Sequence, residues 1–192
     1  VLFPSAPQTA AEAPGTTETV DASARPRKRS LLRGRTSAQP RPPRSTVAAS
    51  AVTTSAGLAV LVAAGTLMHQ TVLVPPLAAT TAIVTATPDS PLAQPRQVLG
   101  GHMLSCLVCF AALALGFHGP WGAVVACGVA CALVLVLRAA HPPALATAVM
   151  IMLTDPSPGR FVPLLAAGAV LLVVVQMVSA RLRREIYPVS WW

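Results

Sequence analysis

The chain has 192 residues, 54% of them hydrophobic and only 10% charged, with a formal net charge of +8. Soluble domains carry about 25% charged residues, so this balance excludes an ordinary soluble globular domain. Eight of the fourteen basic residues lie between Arg25 and Arg44 and three more at Arg181, Arg183 and Arg184; no aromatic residues interleave with them, which argues against a nucleic-acid-binding face.

Residues 1–45 are rich in Pro, Ala, Thr, Ser and Arg and show no hydrophobic periodicity. Such a segment buries too little apolar surface to offset its ordering entropy, so it is expected to be a disordered tail. It lacks the apolar stretch of a signal peptide. Basic residues beside a membrane span favour a cytoplasmic position and contact with anionic lipid headgroups.

The remainder, 46–181, reads as a transmembrane domain. No Asp, Glu, Lys or Arg occurs from Ser45 to Pro88 or from Gln97 to Leu137. As single helices these runs would exceed about 60 Å, against a hydrocarbon core of about 30 Å, so each must turn once. Met68-His69-Gln70 and His118-Gly119-Pro120 supply the breaks. Two further uncharged stretches follow, at 139–154 and 161–180. The expected architecture is an all-α membrane bundle of six segments, at about 47–68, 72–88, 97–117, 121–138, 142–154 and 161–181, with a short tail at 182–192. The fifth is too short to span alone, and a version with four full spans and re-entrant short segments remains open. With six crossings and the N-terminal tail inside, thirteen basic residues fall inside and only Arg160 outside. This is the asymmetry of the positive-inside rule, and it places both termini in the cytoplasm of a cell membrane, that of a bacterium being the expected setting.

One stretch recurs at an offset of 67 residues. Val74–Pro91 aligns without gaps on His141–Pro158, with identities that include Pro75/Pro142, Pro76/Pro143, Thr80/Thr147 and Pro91/Pro158. Each copy is the middle segment of three, so the chain divides into halves of about 47–117 and 121–181. Three crossings per half would make these inverted repeats, a transporter signature; chance similarity among the common Ala, Thr and Pro residues is the alternative. A Pro-Pro pair fits only at the first turn of a helix. Helix starts at Pro75 and Pro142 are therefore expected to leave free N–H groups and a positive dipole end within the membrane, which suits a small anion. Small neighbours (Ala78, Ala79, Thr80; Ala144, Ala146, Thr147) are expected to permit close backbone approach. Pro76, Pro143, Thr80 and Thr147 join the candidate site on these grounds.

Two histidines stand inside apolar segments, where ionisable groups are functional by default. His141 adjoins the second Pro pair, and His102 follows Gly100 and Gly101, whose lack of a side chain admits a neighbouring helix or a ligand. The bland alternative is that each merely satisfies a helix end. Arg96 and Arg138, at inner ends of spans, read as snorkelling anchors or as an anion funnel at an inner vestibule. His69 and His118 read as turn residues. Cys106, Cys109, Cys127 and Cys131 have a spacing that resembles a metal site, but thiols are common small core residues, and packing is the expected role. Neither a metal nor a cofactor is expected, and no nucleotide-binding or hydrolase motif is present.

The run Arg138-Ala-Ala-His-Pro-Pro-Ala-Leu-Ala-Thr-Ala148 resembles the signature of the HPP family of integral membrane proteins. Ser90-Pro-Leu-Ala-Gln-Pro-Arg-Gln-Val-Leu-Gly-Gly-His102 and Tyr187-Pro-Val-Ser-Trp-Trp192 resemble two further blocks of that family, in the right order. The chain departs from the family pattern at Leu145, where glycine is usual, and at Val74-Pro-Pro-Leu-Ala-Ala79. Members from plastids and cyanobacteria have been implicated in nitrite transport. The resemblance thus implies a non-enzymatic permease for a small inorganic anion. A membrane scaffold or accessory subunit acting through its basic tail is the rival reading, and oligomerisation is left open.

Overall fold

A backbone inside lipid has no water to bond, so uncharged runs of this length must satisfy their N–H and C=O groups internally, as helices. The structure, a computed structural model, describes residues 41–69 and 73–191, and among these it contains six α-helices and no strand. They are α1 (Arg44–Leu67), α2 (Val74–Ala86), α3 (Pro95–Ala114), α4 (Gly119–Val136), α5 (Pro143–Thr154) and α6 (Pro158–Arg183), with a 3-10 turn at Pro91–Ala93. The tail expected to be disordered lies, in residues 1–40, outside the described residues.

Proline punctuates the chain. Every helix after α1 has a proline at its first or second position, where a missing N–H costs nothing and the fixed φ suits the helix. Four helices are long and apolar enough to cross a membrane: α1, α3, α4 and α6, of 24, 20, 18 and 26 residues. At the normal rise they measure about 27–39 Å. With 13 and 12 residues, α2 and α5 reach only about 20 and 18 Å. The fifth segment is short as expected. The second also is, correcting the longer span anticipated at 72–88: Leu73 is the cap of α2 and Thr87 leaves the helix before Pro88.

Hydroxyl bonds set how the helices stand. The Ser50 hydroxyl donates to the Thr85 carbonyl (3.1 Å), and the Thr54 and Thr85 hydroxyls lie 2.7 Å apart, so the start of α1 meets the end of α2. Thr53 and Ser179 share a 2.7 Å bond, which brings the start of α1 to the end of α6. The two ends of the bundle's chain therefore share one side. Arg96 also lies there, donating to the Leu137 carbonyl at the end of α4 (3.3 Å).

The packed pairs are α1–α2, α1–α6, α2–α5, α2–α6, α3–α4, α3–α5, α3–α6 and α4–α5. This set is unchanged when α1, α2 and α3 are exchanged with α4, α5 and α6. Equivalent helices α3 and α6 run antiparallel: the Phe110 and Phe161 rings meet edge to face at 6.1 Å, near the end of one and the start of the other. At the opposite end the Tyr187 hydroxyl, just past α6, donates to the Ala93 carbonyl just before α3 (2.9 Å). Such exchange symmetry and opposed directions are what an inverted repeat requires. Eight residues back from Phe110 is His102, and eight forward from Phe161 is Ala169, its counterpart at the offset of 67. The two stand level on the antiparallel pair, where a two-fold axis relating the halves would pass.

Candidate functional site

Where α2, α3 and α5 meet, four polar side chains close on one another in the interior of the bundle. His102, Thr80 and Thr147 are fully buried and His141 is 1% exposed. The Thr80 hydroxyl lies 2.9 Å from His102 Nε2 and 3.1 Å from His141 Nε2. His102 Nδ1 lies 2.8 Å from the Thr147 hydroxyl, and His141 Nδ1 lies 2.9 Å from the Leu92 carbonyl oxygen. The two imidazoles stack edge to face, with centroids 5.2 Å apart.

Donor and acceptor balance fixes the protons. A carbonyl only accepts, so His141 carries its proton on Nδ1 and its Nε2 must accept in the neutral ring. The Thr80 hydroxyl is the donor within reach. Thr80 then accepts from His102 Nε2–H, and His102 Nδ1 accepts from Thr147. A directed chain results: Thr147 to His102 to Thr80 to His141 to the Leu92 carbonyl, with each ring nitrogen satisfied. Thr80 has a second outlet, the Pro76 carbonyl at 3.0 Å. Its single proton can turn between Pro76 and His141, which makes it the pivot of the cluster.

Glycine admits this arrangement. A Cβ on Gly101 would stand 2.8 Å from the His141 Cβ and 3.0 Å from the Ala139 carbonyl oxygen, and one on Gly100 3.1 Å from the Ala139 Cβ. The loop carrying His141 therefore presses directly against α3. The same contact recurs at the offset of 67, where a Cβ on Gly168 would meet Leu77 at 2.6 Å. There Val74 takes the place of His141. Val74, Leu77 and Gly168 border an apolar cavity of about 200 Å³ with Leu61, Leu73 and Leu171. One half thus carries a closed polar knot where the other carries an open apolar hollow.

Of the residues singled out from sequence, the structure draws together Thr80, Pro76, His102, His141 and Thr147, with Gly100 and Gly101 behind His141. Pro143 is buried at the start of α5, whereas Pro75 and Pro142 are exposed. The free N–H groups expected at the second helix start are absent: the prolines have none, and the Ala144 and Leu145 amides donate to the His141 and Pro142 carbonyls (2.9 and 3.1 Å) in a tightened first turn. Of the small neighbours expected to permit close approach, Ala79 and Ala146 face outward, whereas the fully buried Ala144 lies 3.3 Å from a Cβ built on Gly101. Arg96 ties α3 to the end of α4, and Arg138 is exposed with a left-handed backbone (φ 53°) just past that helix. His69 and His118 lie in the turn after α1 and at the cap of α4. All four cysteines are free thiols: Cys106 and Cys109 are buried, Cys127 and Cys131 half-buried.

Sequence reading missed Gln94. It is 1% exposed, and its side-chain amide uses all its bonds: Nε2 donates to the Pro88 and Ser90 carbonyls (2.8 and 2.9 Å), while Oε1 accepts from the Val189 and Ser190 amides (2.9 and 3.2 Å). Tyr187 adds its bond to the Ala93 carbonyl, and burial pushes its phenol pKa up, keeping it a donor. Two of the blocks noted for family resemblance are thereby joined.

A model of the HPP transmembrane region matches residues 39–188. The chain belongs to the HPP family. Two transmembrane proteins of Dictyostelium discoideum are similar to this HPP chain, one 32% identical over 130 residues and the other 31% over 124. The matches cover 63% and 60% of this chain but 46% and 40% of those proteins, so the chain spans less than half the length of the curated relatives it matches. No solved structure matches.

Proposed function

We propose that this HPP chain is a permease for a small inorganic anion, nitrite being the substrate to which the family resemblance points. The observation that carries the reading is the Thr80–His102–His141–Thr147 cluster: a fully satisfied polar knot, built from both halves, at the level where their two-fold would pass. Polar groups inside a membrane are costly and mark substrate or ion pathways. Its rings and hydroxyls are neutral donors able to turn toward a weakly hydrated anion as the halves move. His141 Nδ1 is held by a carbonyl, not by the carboxylate that would tune it for acid–base catalysis, which favours transport over an enzyme.

Sidedness follows from charge. Among the described residues, Arg41, Arg44, Arg96, Arg138, Arg181, Arg183 and Arg184 belong to the side that holds the start of α1 and the end of α6, and Arg160 to the other. The basic end is the cytoplasmic one under the positive-inside rule, with Arg96 and Arg138 at its mouth.

The test is uptake of nitrite and nitrate into proteoliposomes, with chloride as control and His141→Ala beside the parent. Saturable nitrite entry that falls at least tenfold in the variant supports the reading. No flux of any of these anions from folded, inserted protein overturns it.

A further inference from the structure

We propose that Gln94 is the positioning residue of the histidine cluster, acting through the Leu92 carbonyl and clamped from behind by residues 187–190. The proposal rests on the permease reading only for its transport consequence; the positioning itself is a statement about hydrogen bonds.

Two carbonyls meet the cluster, Pro76 at the Thr80 hydroxyl and Leu92 at His141, and only Leu92 faces a ring nitrogen. Each imidazole and hydroxyl in the cluster can donate or accept, so the cluster alone permits either direction. The Leu92 carbonyl cannot donate, and it therefore decides which nitrogen of His141 carries the proton and, through Thr80, which nitrogen of His102 does. Its decision holds only while the oxygen stays aimed at Nδ1.

Leu92 belongs to a three-residue 3-10 turn that is half exposed and could not hold its own carbonyl still. The Leu92 amide reaches the Ser90 hydroxyl at 3.3 Å, and the Ala93 amide donates to the Ser90 carbonyl at 3.0 Å. What rigidifies this turn is Gln94, whose Nε2 grips the Pro88 and Ser90 carbonyls on the chain leading into it. Gln94 is held in turn by the Val189 and Ser190 amides, and the Tyr187 hydroxyl secures the neighbouring Ala93 carbonyl. A side chain with two donors and two acceptors is needed here. Glutamate would lose both donors and alanine everything.

The experiment uses the full chain in lipid bilayers with nitrogen-15-labelled histidine, read by solid-state NMR. In the parent, His141 carries its proton on Nδ1 and His102 on Nε2. In Gln94→Ala, and equally on deletion of residues 187–192, His141 should become a mixture of tautomers, because the carbonyl that sets its proton is released; His102 should mix only as far as Thr80 turns away from the Pro76 carbonyl. Tyr187→Phe, which removes one bond, should give a smaller admixture and serves if the other variants do not fold. Ser50→Ala removes one hydrogen bond at the same end of the bundle but none in this chain, and should leave both signals unchanged. A single His141 tautomer persisting in folded Gln94→Ala and Tyr187→Phe would overturn the proposal, as would mixing in Ser50→Ala, which would make the effect one of general loosening. If the tautomers mix as expected in protein that passes no anion, the positioning stands and the permease reading falls.

Discussion

Thr80 and Thr147 hold equivalent places in the two halves of the chain, and the ring of His102 is suspended between them, Nε2 at 2.9 Å from one hydroxyl and Nδ1 at 2.8 Å from the other. Neither half can build this site alone. Removing either hydroxyl strands a ring nitrogen in a dry interior, at a cost of about 1–3 kcal/mol. Thr147→Val should therefore lower stability by that amount, measured by thermal unfolding in detergent, while Thr147→Ser should remain within about 0.5–1.5 kcal/mol of the parent. A Thr147→Val protein as stable as the parent would mean that the bond to His102 contributes nothing.

Thr80 is the more sensitive of the pair because it serves both histidines. Thr80→Val should leave His141 Nε2 and His102 Nε2 without a partner together, and its loss of stability should exceed that of Thr147→Val. In a double variant the two losses should not add, since both act on His102. Additive losses would separate the two hydroxyls into independent contacts.

Three glycines grade the packing. Gly101→Ala would drive a methyl into the His141 Cβ and a backbone carbonyl, neither of which can yield cheaply, and overpacking of this kind costs about 1–3 kcal/mol. Gly168→Ala meets only the flexible tip of Leu77 and should cost less. Gly128 has nothing within 4 Å of a built Cβ, so Gly128→Ala should be neutral or stabilise its helix by about 0.5–1 kcal/mol. Unfolding midpoints of the three variants, ranked in any other order, would contradict the contact of α3 with the His141 loop.

Outward-facing alanines give a complementary expectation. Ala146→Leu should be accepted with little effect on folded yield, since its side chain faces away from the bundle. Ala144→Leu, two residues away at a position with no exposure, should abolish folding or cost several kcal/mol. Equal tolerance at both positions would place α5 in a different rotation.

Much of this architecture was legible in the sequence because lipid leaves so few choices. Uncharged runs too long for one crossing had to turn, and prolines marked where, so six helices and their short fifth member could be read directly. His102 and His141 stood out because ionisable groups are rare in such runs. What could not be read was rotation. Helices polar on neither face have almost no amphipathic signal, so the sequence does not separate Ala79 and Ala146 from Gly101 and Ala144 as points of close approach. Nor does a Pro-Pro pair reveal that the amides following Pro142 fold back onto local carbonyls. Gln94 escaped notice because a glutamine in a polar loop is unremarkable until residues 187–190, about 95 positions away, are brought to it.

That separation has a consequence for how the molecule is made. Residues 187–190 leave the ribosome only after the six described helices have been synthesised, so these helices can insert while the Gln94 turn is still unclasped. Biogenesis would then have two distinguishable stages, insertion of these helices followed by a late setting of the interior around His141.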